Sequence, residues 1–161
     1  MSATRDWNSE RAIVEAHAGE RIAMIVESHA RITGNDLVTP GGDLARSLWL
    51  LPAVVLAHAT EEDPVFFYAN RAALELFEMP AADFIRMPSR YSAEPVARAE
   101  RERLLGEVAR NNFISDYSGV RTARSGRKFR IERATVWNLF DPKGSMGGQA
   151  ASFSDWTELA S

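Results

Sequence analysis

The sequence predicts an α+β domain: a five-stranded antiparallel sheet with helices on one face, preceded by an N-terminal amphipathic helix. Two short strand-forming runs, PAVVLAHAT and VFFYA, come before a central block of helical pattern, and three longer runs follow that block. Five antiparallel strands cannot bury one face unaided, so the central helices must cover it. A chain of 161 residues with 45% hydrophobic and 25% charged residues suits one such domain with an appendage.

The first element is an amphipathic helix within residues 9–32, eased at Gly19 and followed by Gly34 in a C-cap position. Its apolar stripe repeats every three to four residues, and the helix packs either on its own domain or at a dimer interface. The residues assigned to the interface in the second case are Ile22, Ile25, Val26 and His29. A turn-rich connector follows, so we divide the chain into a helical extension at 1–47 and a domain at 48–161.

Asn70 marks the junction between the strand VFFYA and the helical run RAALELFE. Asparagine is a preferred helix N-cap because its side-chain oxygen accepts a backbone N–H of the first turn. Ala73, Leu74 and Phe77 then share one helical face. Capping accounts for Asn70 by itself, and a second role, presenting a polar group to a cavity, stays open. The polar EEDP at 61–64 predicts a hairpin between the two strands.

Further helices and strands follow in order. Pro80 opens a short helix in AADFIR, and a longer helix spans about 95–111, supported by the pairs Arg98–Glu102 and Arg103–Glu107. The runs FISDYSGVRTA, KFRIERATVWNLF and GGQAASFSDW predict an antiparallel meander with turns at 124–127 and 141–144. In the middle strand the bulkier alternate set is assigned inward, and it includes Arg133. An inward arginine is a candidate binding residue.

Composition excludes several classes of function. The net charge of −3 provides no basic field for nucleic acid or anionic membrane. Absence of cysteine excludes disulfides, thiolate catalysis, cysteine-based zinc sites and a cysteinyl–flavin adduct. The N-terminal residues MSATRDWNSER contain no apolar signal segment, and LWLLPAVVLA is too short to cross a bilayer. We therefore expect a cytoplasmic protein without a nucleic-acid or membrane partner.

Catalytic and metal-binding motifs are not found in the sequence. His58 precedes Glu61, Glu62 and Asp63, a set that can ligate a metal, but the acids fall in a predicted hairpin turn and are expected to be solvated. No nucleophile elbow or phosphate-binding loop is present. We assign no catalytic residue, no metal ligand and no cofactor. A small lyase or isomerase using a carboxylate as general base remains the third alternative.

The order of elements resembles a PAS domain, and the closing SDWT resembles the Asp-x-Thr signature of such domains. More closely, the chain resembles the MEKHLA family, a PAS-like domain of small bacterial proteins and of plant homeodomain–leucine zipper transcription factors. The matching segments are LWLLPAVVLAH, TEEDPVFFYANRAALELFE, MPSRYSAEP, YSGVR, SGRKFRIERATVWN and GQAASFSDW. The resemblance implies a PAS-like fold that senses or regulates through a ligand, a partner protein or its own dimerisation.

A small-molecule site typically combines apolar walls with a few convergent polar groups, and the space between the predicted sheet and helices offers residues of both kinds. Our candidate lining residues are Tyr68, Asn70, Phe77, Phe84, Tyr117, Arg121, Arg133, Trp137, Gln149 and Phe153. The arginines suit an anionic group such as a carboxylate. We predict a homodimeric, non-enzymatic sensory or regulatory module that binds a small ligand or a protein partner. The alternative is a ligand-free interaction module whose aromatic residues fill a solid core.

Overall fold

The computed structural model describes residues 5–93 and 98–160, except for the side chains of residues 98 and 101. Its centre is one antiparallel sheet with the strand order β2-β1-β5-β4-β3. The strands are β1 (Val54–His58), β2 (Phe66–Ala69), β3 (Phe113–Thr122), β4 (Lys128–Phe140) and β5 (Met146–Phe153), and a short β6 (Asp155–Glu158) extends the sheet along β4. The five-stranded antiparallel sheet predicted from the sequence is confirmed, and β6 is an addition to it.

Helices cover both faces of this sheet. Two N-terminal helices, α1 (Trp7–Ala18) and α2 (Arg21–Thr33), lie on one side. On the other side, which we call the inner face, lie α4 (Arg71–Phe77), α5 (Ala81–Phe84), a 3₁₀ turn (Ser89–Ser92) and α6 (Arg98–Asn111). Two adjacent residues of β4 show that α2 and α6 lie on opposite faces, because neighbouring side chains on a strand point to opposite faces. Trp137 Nε1 donates to Ile25 O of α2 at 3.2 Å, whereas Asn138 Nδ2 donates to Val108 O of α6 at 3.2 Å.

The apolar stripe of α2 packs on the chain's own sheet. The four side chains that the sequence assigns to a dimer interface, Ile22, Ile25, Val26 and His29, are all buried within the chain. The His29 ring meets Trp137 edge-on at 4.8 Å, and Ser28 Oγ accepts from Phe140 N at 3.0 Å. The structure therefore corrects the interface assignment, because this packing leaves the four side chains no surface to offer a second copy. The domain boundary at residue 48 remains a prediction.

A short helix, α3 (Leu44–Leu50), lies in the segment that the sequence analysis treats as a connector followed by an apolar run. Asp43 caps it by accepting from Arg46 N at 3.1 Å, which is the signal that would have revealed it. In α6, Arg103 pairs with Glu100 and Asp116 instead of the predicted Glu107. Residues 94–97, with which the predicted long helix begins, and the Arg98 side chain of the other predicted pair lie outside the described residues.

A β-bulge in β4 changes which side chains face inward. Ile131 pairs with Gly119 and Ala134 with Tyr117, so three steps along β4 match two along β3. Arg133 occupies this bulge with a φ of 50°, and its guanidinium lies on the surface 2.9 Å from the Asp155 carboxylate. The inward placement of Arg133 is therefore wrong, because the extra residue reverses the alternation partway along the strand.

Candidate functional site

A cavity of about 570 Å³ opens between the inner face of the sheet, the 3₁₀ turn and α6. Its apolar walls include Leu56, Phe66, Leu104, Val136 and Ala151. Its polar lining residues are His58, Asp63, Ser89, Arg90, Ser92, Tyr117, Arg121 and Gln149. Apolar walls with a small number of polar groups are the usual composition of a small-molecule site.

Strand register builds the floor of this cavity. Ala151 of β5 pairs with Leu56 of β1 and with Val136 of β4, so the three side chains form one row on the inner face. One pleat away, Gln149 pairs with His58 and with Asn138, which forms a second, polar row. The floor therefore passes from apolar to polar across two adjacent rows of the same three strands.

Hydrogen bonds fix the orientation of the Gln149 amide. Asn138 Nδ2 donates to Val108 O and Asn112 Oδ1, both at 3.2 Å. A backbone carbonyl can only accept, so the Asn138 amide nitrogen must face it and its Oδ1 is left to accept from Gln149 Nε2 at 3.3 Å. Asn138, which no pattern in the sequence marks as a site residue, therefore positions the cavity-lining Gln149.

His58 has a defined tautomer for the same reason. Its Nδ1 lies 2.9 Å from Ala59 O, a carbonyl that can only accept, so Nδ1 carries the proton. Nε2 of the neutral ring is then left as an acceptor. Among residues 5–93 and 98–160, no three His, Asp or Glu side chains are placed to hold a metal ion. Asp63 at the cavity rim forms an ion pair with Arg90 at 3.0 Å.

Tyr117 and Arg121 share the inner face of β3 with Gly119 between them. A Cβ at Gly119 would come within 2.9 Å of Arg121 Nη1 and 3.0 Å of Tyr117 Oη. Both polar groups therefore converge on the space above the glycine. Tyr117 and Arg121 are four positions apart on one strand, and the pattern Tyr-x-Gly-x-Arg is the signal in the sequence that places both side chains on one face.

Of the ten predicted pocket residues, the structure brings Tyr117, Arg121 and Gln149 together in the cavity. Phe77 and Phe84 instead pack with Phe66 and Phe129 in the inner core, with ring centroids 4.5 to 5.9 Å apart. The other five lie elsewhere: Tyr68 and Trp137 are buried on β2 and β4, Phe153 packs edge-on against Trp156, Arg133 is on the surface, and Asn70 caps α4.

Asn70 does not line the cavity, and its side chain instead stabilises the start of α4. Its Oδ1 accepts from Ala73 N at 3.1 Å, the capping bond that the sequence predicts for α4, and also from Val55 N of β1 at 3.0 Å. Its Nδ2 lies within 3.3 Å of the carbonyl oxygens of Leu48, Leu51 and Ala53. The buried amide therefore joins the start of α4 to the segment between α3 and β1.

A second, more open groove of about 630 Å³ lies between α3, α4 and β6. Leu50 and Trp156 line it and are 50% and 40% exposed. The charged side chains that line it are paired with one another, Arg71 with Glu75 and Arg127 with Glu158, at 3.1 Å in both cases. This groove has the character of an apolar surface patch, and we take the cavity as the candidate ligand site.

Comparison with known proteins decides the family. The model of the MEKHLA domain matches residues 19–158, which contain α2 and all six strands. The chain belongs to the MEKHLA domain family. Two Arabidopsis thaliana relatives, the homeobox-leucine zipper proteins ATHB-9 and ATHB-14, are each 25% identical to it, over 82% and 80% of this chain. These alignments span only 16% and 15% of the two relatives, so the MEKHLA chain matches about a sixth of their length.

Solved structures place the MEKHLA fold among PAS and light-oxygen-voltage domains. The photo-excited blue-light photoreceptor Vivid gives a TM-score of 0.56 at 15% identity, covering 84% of this chain and 94% of that one. A PAS domain from Colwellia psychrerythraea gives 0.56 at 11% identity, covering 71% and 92%. The light-state dimer of fungal Vivid gives 0.55 at 14% identity, covering 80% and 90%. The PAS-like fold predicted from the sequence is confirmed. None of the described helices has the length and apolar character needed to cross a membrane.

Proposed function

We propose that this MEKHLA chain is a non-enzymatic, cytoplasmic sensory or regulatory module that binds a small ligand in the cavity. The observation that carries the proposal is a half-enclosed space with apolar walls on which Tyr117, Arg121 and Gln149 converge. PAS-like neighbours support the sensory class, whereas the activities of the much longer homeobox proteins do not transfer to a sixth of their length. Among the described residues no Asp or Glu is buried, which supports a non-enzymatic role.

Native mass spectrometry of freshly purified protein tests ligand capture. We expect the native protein to carry additional mass that denaturation releases. In the variant Ala151→Phe a bulky ring occupies the cavity floor, and we expect it to lose that mass while retaining its fold. The matched control is Ala16→Phe, at an exposed position of α1, which should keep the mass. A bare polypeptide mass in all three proteins would contradict ligand capture during expression.

A second candidate function, protein interaction through the groove, is favoured by the exposed Leu50 and Trp156. One structural neighbour, Vivid, forms a light-state dimer, and we propose that this chain also associates as a homodimer, with the groove as the contact surface. Sedimentation analysis should show a dimer that Leu50→Glu dissociates, because a buried carboxylate opposes association. Leu105→Glu, at an equally exposed position of α6, should leave the dimer intact. Dissociation by both substitutions, or by neither, would contradict the groove as the interface.

A further inference from the structure

The structure assigns a ligand class to the cavity: we infer a carboxylate with an apolar tail, held head-first by Arg121 and Tyr117. This inference rests on the proposed function, since it names the ligand of the same cavity. Two cations line the space. Arg90 is neutralised by Asp63 at 3.0 Å, whereas Arg121 has no carboxylate within 4 Å among the residues described. Among the described lining residues, one positive charge therefore has no carboxylate partner, which favours a monoanionic guest.

Arg121 presents the edge of its guanidinium that binds carboxylates. Its Nη1 donates to Val120 O at 2.9 Å, which holds the group against β3. Nε and Nη2 make no hydrogen bond to any described residue, and together they form the edge that binds the two oxygens of a carboxylate. One guanidinium with Asp63 nearby suits a single negative charge better than a phosphate dianion, which would require further cations.

Tyr117 supplies a second donor beside the same guanidinium. The residue is 2% exposed, yet its hydroxyl makes no hydrogen bond within the part of the chain that the structure describes. The hydroxyl is therefore left to donate into the cavity that Tyr117 lines, where a carboxylate oxygen would accept from it. The hydroxyl and Arg121 Nη1 both lie about 3 Å from the position that a Cβ of Gly119 would occupy. Only glycine there leaves room for the two groups to approach one guest.

The apolar walls of the cavity would bind the apolar tail of the carboxylate. Leu56, Val136 and Ala151 form the row of the floor next to the polar one, and Phe66 and Leu104 are further wall residues. A volume of about 570 Å³ is within the range of sites for small organic molecules. The chemistry is therefore that of an amphipathic monocarboxylate, bound by an ionic head contact and by burial of its hydrocarbon part.

Isothermal titration with a matched pair of probes, 4-phenylbutanoate and 4-phenylbutanamide, tests the assignment. The two molecules share one tail and differ in the charge of the head group. The native chain should bind the carboxylate about tenfold or more tightly than the amide, because a charged hydrogen-bonded pair is lost with the amide. Arg121→Gln should reduce this preference to about twofold and leave the amide affinity unchanged. Arg124→Gln, which removes a surface cation that is paired with Asp83 and does not line the cavity, is the control and should keep the preference.

The outcomes of the titrations distinguish failure of the carboxylate assignment from failure of the proposed cavity function. Equal affinity of the native chain for both probes would overturn the carboxylate assignment and leave the cavity function standing. Binding of neither probe would overturn both. If Arg121→Gln fails to fold, as judged by circular dichroism, Tyr117→Phe replaces it and should weaken the carboxylate several-fold without affecting the amide. Gly119→Ala should do the same by displacing the guanidinium, and an unchanged preference in these variants would contradict the inferred head-group site.

Discussion

Asn70 shows how much one amide contributes at the scale of a residue. Loss of a helix cap alone costs about 1 kcal/mol, but this side chain also satisfies Val55 N and carbonyl oxygens before β1. We expect Asn70→Ala to lower the free energy of unfolding by about 3 kcal/mol, because fully buried backbone groups lose their partners. Urea denaturation measures this loss.

Two variants separate capping from the wider role of Asn70. Asn70→Asp keeps the capping oxygen but removes the donor to the carbonyls, so it should be at least as destabilising as alanine. Asp43→Ala removes an exposed cap of α3 and should cost only about 1 kcal/mol. Equal losses for Asn70→Ala and Asp43→Ala would show that Asn70 is no more than a cap.

For Tyr68 we expect the opposite effect, because removing its polar group should not destabilise the protein. Its hydroxyl is buried without a hydrogen-bond partner in the described chain, and burial raises the pKa of the phenol above its ordinary value. Since the folded state leaves this group unsatisfied, Tyr68→Phe should be neutral or stabilise the protein by up to about 1 kcal/mol in thermal and urea unfolding. Tyr91→Phe, at an exposed position, should stay within about 0.5 kcal/mol. A loss above 1 kcal/mol in Tyr68→Phe would show that the hydroxyl is bound.

At the scale of elements, Gly148 determines how closely β5 approaches the end of β1. Its φ is +139°, and a Cβ there would lie 2.1 Å from His58 O. Gly148→Ala should destabilise the protein by about 3 kcal/mol or more, because backbone strain and a backbone clash add together. Gly126→Ala is the control, since that glycine has a φ of +93° but open space around it, and about 1–2 kcal/mol is expected. Similar losses in the two melting curves would contradict the close approach.

The elements that the sequence predicts well are those encoded by local chemistry. Gly34 ends α2 with a φ of 76°, Asn70 caps α4, and the turn after β4 closes with a bond from Gly144 N to Asp141 O at 2.9 Å. The sequence does not predict the β4 bulge, because no residue nearby signals an extra position in the alternating pattern. Strict alternation therefore assigns Arg133 and Trp137 to the inner face, whereas the extra residue at the bulge moves both away from it.

At the scale of the whole molecule, the three layers depend on tertiary packing that local patterns do not specify. The apolar stripe of α2 predicts that this face of the helix is buried. The same periodic pattern is expected whether the helix packs on the sheet of its own chain or on a second copy of the protein. The candidate site was predicted in part for a similar reason. Tyr117, Arg121 and Gln149 are polar residues within runs that the sequence predicts as strands, whereas the role of Asn138 requires knowledge of where α6 ends.

Stability of the assembled layers should depend on pH through His29. Burial lowers the pKa of this imidazole below its ordinary 6.5, while the hydrogen bond to Asn35 O and the charge of Asp36 act in the opposite direction. Below about pH 6.5 the unfolded chain therefore binds a proton that the folded chain resists, so stability should fall as the pH decreases from 7.5 to 5.5.

Urea denaturation across that range measures the dependence, and His29→Gln should make it shallower. The pKa of His17 is also lowered by burial, but His17 is present in both proteins, so the difference between them reports on His29. Identical slopes of the free energy of unfolding against pH in the two proteins would contradict the assignment of the pH dependence to His29.

The bond from the Trp137 indole to Ile25 O gives the molecule an internal optical reporter. The chain contains four tryptophans, and the other three lie at positions 7, 49 and 156. With those three replaced by phenylalanine, the remaining fluorescence would come from a ring held between sheet and α2. Its emission maximum would lie at short wavelength while α2 packs on the sheet. The maximum would shift to longer wavelength when α2 separates from the sheet and water reaches the indole. A conformational signal that passes through the N-terminal helix could then be followed in real time without any attached label.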